Sequence, residues 1–188
     1  FFISFNYTDS LEHYYNITAK NIFYIHKKAK SNDVLILGHG TDPDNFIVED
    51  EKMPEGLSLE EQDEWREQMS DSFDFSYEQG RDKILDYFSK SFKYTEDIIS
   101  QNKFFFDRLT DVKKVIVLGH SISDVDQPYF KKILQSIENK TIVWTVSYYG
   151  DKKPIYDHLI EIGLNEKQIN LITLNEIKVK NDNNYKLF

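Results

Sequence analysis

Cysteine is absent from all 188 residues, which excludes a disulfide scaffold, a thiolate nucleophile and cysteine-bound zinc together. Long apolar runs are missing too: no stretch approaches about 18 uninterrupted apolar residues, so no helix is expected to span a membrane. The first residues, FFISFNYTDS, lack the basic region and apolar core of a signal peptide. Positive charge is in short supply, with 23 Lys and Arg against 32 Asp and Glu and a formal net charge of −9. The Lys-Lys pairs at 27–28, 113–114, 131–132 and 152–153 are scattered rather than aligned, and nucleic-acid binding is disfavoured. No P-loop, GxGxxG or GxSxG occurs, so the usual glycine-rich phosphate cradle and nucleophile elbow are excluded. No HxxxH or other close His–carboxylate spacing stands out, and no metal site is expected. These absences lead to the expectation of one α/β domain in a cytoplasmic protein.

What is abundant is aromatic, with 14 Phe and 12 Tyr, and the sequence assigns most of them, Phe104-Phe105-Phe106 and Trp65 included, to a core. Apolar and β-favouring residues predict strands over 1–5, 22–26, 34–37, 115–118, 141–147 and 169–174. The all-apolar Val115 to Leu118 reads as a strand buried on both faces of a parallel sheet. Helices are expected after the capping residues Asn6-Tyr7-Thr8-Asp9, over 58–69 behind Ser58, over 76–91, over 94–109, over 127–138 with Pro128 in the first turn, and over 154–162 before Gly163. Thr41 to Pro54 reads as a loop, residues 57–109 as a helical insertion, and 178–188 as a polar, frayed tail. Alternation of strands with helices specifies βαβ units, and hence a mainly parallel, Rossmann-like sheet with helices on both faces.

Ligands of such sheets bind beyond the carboxyl ends of the strands. Four polar segments fall at expected strand ends: Asn6-Tyr7-Thr8-Asp9, His26, Gly38-His39-Gly40 and Gly119-His120-Ser121. Gly119 lets the chain leave its strand without a Cβ in the way, while Ser121, Ser123, Asp124 and Asp126 can either hydrogen-bond a ligand hydroxyl or cap the next helix. His26 can act as a general base near neutral pH or serve as a satisfied structural imidazole, and His39 between two glycines can approach a ligand or make a tight turn. His13 and His158 read as surface or packing residues.

Three segments in order, Phe5-Asn6-Tyr7-Thr8, Tyr24-Ile25-His26 and Leu118-Gly119-His120-Ser121-Ile122-Ser123-Asp124-Val125-Asp126, resemble the AbiH abortive-infection family of bacterial phage-defence proteins. The resemblance implies a carboxy-terminal part of such a protein, whose preceding portion carries a glycine-rich turn, and the abrupt apolar start Phe1-Phe2-Ile3 fits that expectation. The family is similar in layout to sirtuin-like proteins. By that resemblance Asn6 faces a nicotinamide ribose and His26 is the base. Gly119 and Ser121 line the adenosine side, and Tyr7, Thr8, Gly38, His39, His120, Asp124 and Asp126 complete an NAD-like pocket. Lys27 stands where the family usually has Gly, which opens a second reading: a non-catalytic sensor whose helical insertion recognises a phage or host protein. Homo-oligomerisation is compatible with both.

Overall fold

The computed structural model describes residues 1–29, 32, 34–42, 45, 52–72 and 74–177. The chain forms two compact units, Phe1–Ile36 with Lys93–Phe188, and Leu37–Phe92. The expected tail 178–188 lies outside the described residues, as does most of the 41–54 loop.

The first unit is built on parallel strands. Strand β1 (Phe2–Ser4) is followed by the short helix α1 (Ser10–His13), a 3-10 turn (Ala19–Asn21) and β2 (Ile22–Tyr24), which pairs parallel with β1. A second ladder has the order β3-β4-β5, from β3 (Val115–Val117), β4 (Trp144–Tyr148) and β5 (Ile169–Thr173), all parallel. Parallel neighbours require long crossovers. Helix α6 (Gln127–Ser136) joins β3 to β4, and α7 (Lys153–Glu161) leads from β4 towards β5. Helices α4 (Thr95–Gln101) and α5 (Lys103–Asp107) complete the unit.

The apolar side chains of these elements make one core. Ile25, Phe106, Ile122, Tyr129, Trp144, Val146 and Leu159 are among its fully buried members, and Ile3, Phe5 and Phe23 pack against it from the β1–β2 side. Helix α6 buries Tyr129, Phe130 and Ile133, a spacing of three and four that places them on one face. Gly163 ends the α7 segment at φ +105, a conformation open to glycine at little cost.

Several expectations are corrected. The strands form two small parallel ladders rather than one continuous doubly wound sheet, since β1, β2 and β3 are only three residues long and each finds one ladder partner. The segment read as buried on both faces is open on one: Ile116 is 42% and Leu118 48% exposed, against 8% for Val117 between them. Val34 to Leu37 forms no strand. Its apolar composition mimics one, but the Ile36 N–H donates to the His26 carbonyl rather than to a neighbouring strand. The single helix expected over 94–109 is interrupted at Asn102, whose backbone leaves helical geometry at φ −109, ψ 23 while its N–H is shared between the Ile98 and Ile99 carbonyls and its side-chain amide adds a 2.7 Å bond to the Ile98 carbonyl. Phe106 is buried as expected, while Phe104 is 78% exposed and, with Phe1, lies against the Arg108 guanidinium.

The second unit contains α2 (Leu59–Ser72) and α3 (Phe75–Ser91). The Ser58 N–H donates to the Glu61 carboxylate at 2.8 Å while the Glu61 N–H reaches back to the Ser58 hydroxyl at 3.4 Å, the reciprocal start that the sequence signals. Asp74 caps α3 by accepting from the Ser76 and Tyr77 N–H groups. Helices α4 and α5, which the sequence groups with the insertion, cluster with the first unit.

Candidate functional site

Five chain segments of the first unit place polar side chains around one point. The chain leaving β1 brings Phe5 and Tyr7, the turn after β2 brings His26, and the loop after β3 brings His120 and Asp126. Lys93 comes from just before α4, and Tyr129 from the first turn of α6. The β-strand segments contribute from their carboxyl ends, as expected for parallel strands.

The hydrogen bonds determine one another. The His26 Nδ1 lies 3.4 Å from the Phe5 carbonyl, which can only accept, so Nδ1 carries the hydrogen and Nε2 the lone pair. Lys93 Nζ donates to that Nε2 at 3.4 Å and to Asp126 Oδ1 at 3.2 Å. The other oxygen of Asp126 lies 3.4 Å from His120 Nε2. The His120 Nδ1 accepts from the Ile122 N–H at 2.8 Å, so its Nε2 is the protonated nitrogen and donates to Asp126. The chain therefore runs without a conflict of donors from the Phe5 carbonyl through His26, Lys93 and Asp126 to His120, and it pairs one ammonium with one carboxylate.

Burial gives this pair its weight. His26 is 2% and Lys93 7% exposed. Burial, and next the Lys93 charge, hold the His26 imidazole below its usual pKa of 6.5, favouring the neutral ring. For Asp126 burial acts first and pushes the carboxyl up, but the His120 hydrogen bond and the Lys93 charge together outweigh it, and the pKa is held below the ordinary 3.8. Burial followed by the Asp126 charge raises the Tyr7 phenol, which donates to the Ile36 carbonyl at 2.9 Å. Tyr129 is likewise raised, by burial, then Asp126, then Tyr7. Its hydroxyl is fully buried and has no hydrogen-bond partner among the described residues, a state that costs about 1–3 kcal/mol until a partner arrives.

Aromatic packing fixes the cluster from below. Phe5 stacks on Phe130 with ring centres 5.2 Å apart and meets the His120 edge at 4.4 Å and the His26 ring at 5.6 Å. Tyr7 stacks over His26 at 6.0 Å. Two residues carry left-handed backbone to make these turns: Lys27, at φ 68, where the resemblance led one to expect Gly, and Ile122, at φ 53. For a β-branched residue that conformation is an outlier costing about 1–3 kcal/mol, and full burial of the Ile122 side chain together with its amide bond to His120 holds it.

The remaining residues singled out by sequence have other surroundings. Asn6 is exposed, and its carbonyl accepts from the Ser4 hydroxyl. Thr8 is exposed and shares a hydrogen bond with Ser10. Gly119, at φ 62, donates its N–H to the buried Ser147 hydroxyl at the end of β4. Ser121 offers its carbonyl to the His158 Nδ1, and Asp124 is exposed beside Gln127 and His158. Gly38 and His39 belong to the second unit. There the His39 Nδ1 accepts from the Thr41 N–H and the ring packs on Phe88 and Phe92.

Sequence reasoning missed Lys93, Tyr129 and Ser147. Tyr129 had a usable signal, four residues before Ile133 on the buried face of α6. Nothing local marks Lys93, which lies 67 positions from its partner His26.

Among the described residues no helix is long and apolar enough to cross a membrane. A family model described as "Bacteriophage abortive infection AbiH" matches residues 1–148. No curated protein and no solved structure matches the chain.

Proposed function

From the premise that this chain belongs to the bacteriophage abortive-infection AbiH family, whose model covers residues 1–148, and that phage defence is the role this family suggests, we propose that it binds and hydrolyses an NAD-like nucleotide at the Lys93–Asp126 cluster. The observation that carries the reading is the buried Lys93–Asp126 pair set between two imidazoles at strand ends, beside a buried Tyr129 hydroxyl without a partner among the described residues. A ligand supplying an anionic oxygen would draw the Lys93 ammonium and satisfy the Tyr129 O–H. The His26 Nε2 lone pair, released from Lys93, would then accept the proton of a water that attacks the nicotinamide-bearing ribose carbon as its bond to nicotinamide breaks, with neutral nicotinamide leaving and a ribose hydroxyl formed. Asp126 would hold the neighbouring positive charge throughout. Asn6, Tyr7 and Thr8 on one rim and Gly119 to Ser121 on the other are the candidate contacts for the rest of the nucleotide.

The test uses the full-length protein and phage plating in parallel. Lys93→Met and Asp126→Asn are each expected to abolish both NAD turnover and protection, read beside the charge-balanced double variant Lys93→Met with Asp126→Asn and with folding of all three checked by circular dichroism, because each single change strands its partner's charge. Full protection by both variants, or no binding and no turnover of NAD with or without infection, would remove the reading.

A second reading has its own observation. Helix α3 leaves Phe75, Tyr77, Ile84 and Tyr87 well exposed, an apolar set that suits a phage or host protein partner better than water. If His26→Ala and Lys93→Met keep protection while Tyr77→Ser with Tyr87→Ser loses it, the protein is a sensor and the cluster is structural.

A further inference from the structure

Beyond the nucleotide reading and independent of it, we propose that Asp124, His158 and Glu161 form a binding site for a divalent transition-metal ion such as Zn²⁺ or Mn²⁺. Asp124 lies in the loop that leads into α6, while His158 and Glu161 stand three residues apart at the end of α7, on one side of the helix. One imidazole nitrogen and two carboxylate oxygens, one from each residue, lie within 4.8 Å of one another. Sequence reading passed over the His-x-x-Glu spacing at 158–161, which points to no site until the fold brings Asp124 to it.

The orientation of the ring is what points to a cation. The His158 Nδ1 is 3.1 Å from the Ser121 carbonyl, an acceptor only, so Nδ1 carries a hydrogen and the ring turns its Nε2 towards Asp124. The Nε2 and Asp124 Oδ1 stand 3.9 Å apart, beyond hydrogen-bond distance. A metal ion can close a gap of that kind by taking the imidazole nitrogen and the carboxylate oxygen together as ligands. A backbone carbonyl holding the far nitrogen of a ligating imidazole is the arrangement that metal sites use to fix ring tautomer and direction.

The carboxylates are oriented by a single side chain. Gln127 is buried, and its amide nitrogen donates to Glu161 Oε2 at 2.7 Å and to Asp124 Oδ1 at 3.4 Å. Each carboxylate retains a second oxygen and further lone pairs for an ion. Ligand atoms around such an ion lie roughly 3.0–3.5 Å apart, so a pair at the 4.8 Å limit must close by roughly 1.3–1.8 Å. The exposed Asp124 side chain has room to swing, while His158 and Glu161 are held on one helical turn. The mixed nitrogen and oxygen donor set suits zinc or manganese better than calcium. Three protein ligands leave positions open to water or to a phosphate oxygen.

The experiment is a calorimetric titration of the chelator-treated full-length protein with ZnCl₂ and, separately, with MnCl₂, without nucleotide. One equivalent is expected to bind, with at least a tenfold loss of affinity in each of Asp124→Asn, His158→Gln and Glu161→Gln, all checked for unchanged helical circular dichroism. Gln127→Ala should weaken binding without changing its stoichiometry. No binding of either ion, or wild-type affinity in Glu161→Gln and His158→Gln, would overturn the proposal. Because the ion alone is titrated, failure here leaves the nucleotide reading standing, and failure of NAD binding leaves this site untouched.

Discussion

At the scale of single residues the first unit is governed by one buried cation and its partners. Lys93 faces Asp126 at 3.2 Å, both largely out of water. Deleting either partner strands a charge, so Lys93→Ala should cost about 3–5 kcal/mol in denaturant unfolding. The double substitution Lys93→Met with Asp126→Asn should recover most of that loss, and a double variant no more stable than Lys93→Ala would contradict the pairing. His26 adds a pH signature. Its folded pKa lies below 6.5, chiefly through burial and then through Lys93, so between that depressed value and 6.5 the unfolded chain binds more protons than the folded one. The stability it contributes is complete above 6.5 and is lost as the pH falls through that window. Unfolding midpoints measured from pH 7.5 downwards should fall more steeply for the wild type than for His26→Gln, and parallel curves would remove His26 from the account. The sequence made His26, His120 and Asp126 visible because each follows a strand or precedes a helix. Lys93 stayed hidden because its meaning comes from contacts far along the chain.

At the scale of elements, the sequence is most readable where an amphipathic face is complete. Helix α7 carries Ile155 and Leu159 into the core and leaves Ile160 40% exposed. Leu159→Ala should therefore cost about 2–5 kcal/mol, while Ile160→Ala should stay near zero; equal losses in a urea series would mean that the face is misassigned. The same reasoning located α3 and α6 to within a residue or two. It failed at Val34 to Leu37, where an apolar run finds no ladder, because strand periodicity describes a residue's own preference and not the presence of a neighbour. It failed again at Asn102, where a residue that bonds the preceding turn through both its main-chain N–H and its side-chain amide leaves helical geometry and divides a helix that pattern alone would continue. Leu118, apolar yet 48% exposed, shows the third limit: composition cannot tell one covered face from two.

At the scale of the whole molecule, parallel pairing is what assembles the candidate site. Because β1 and β2 run the same way, their carboxyl ends bring Phe5, Tyr7 and His26 together. The loop after β3 closes on them with His120 and Asp126. That convergence was legible from the alternation of strands and helices, whereas the division into two ladders and two units was not, since it depends on which strands find partners. Family membership supplies the suggested biological setting, phage defence, and nucleotide chemistry at the cluster is the proposal to be tested in it. The most direct measurement is the ¹⁵N–¹H spectrum of the histidine rings of the full-length protein, titrated with NAD. The account predicts a neutral His26 with its hydrogen on Nδ1 in the free protein, and saturable shifts of the His26 and His120 rings while the exposed His13 stays fixed. Rings of His26 and His120 that do not move at millimolar NAD, or a His26 protonated at neutral pH, would contradict it.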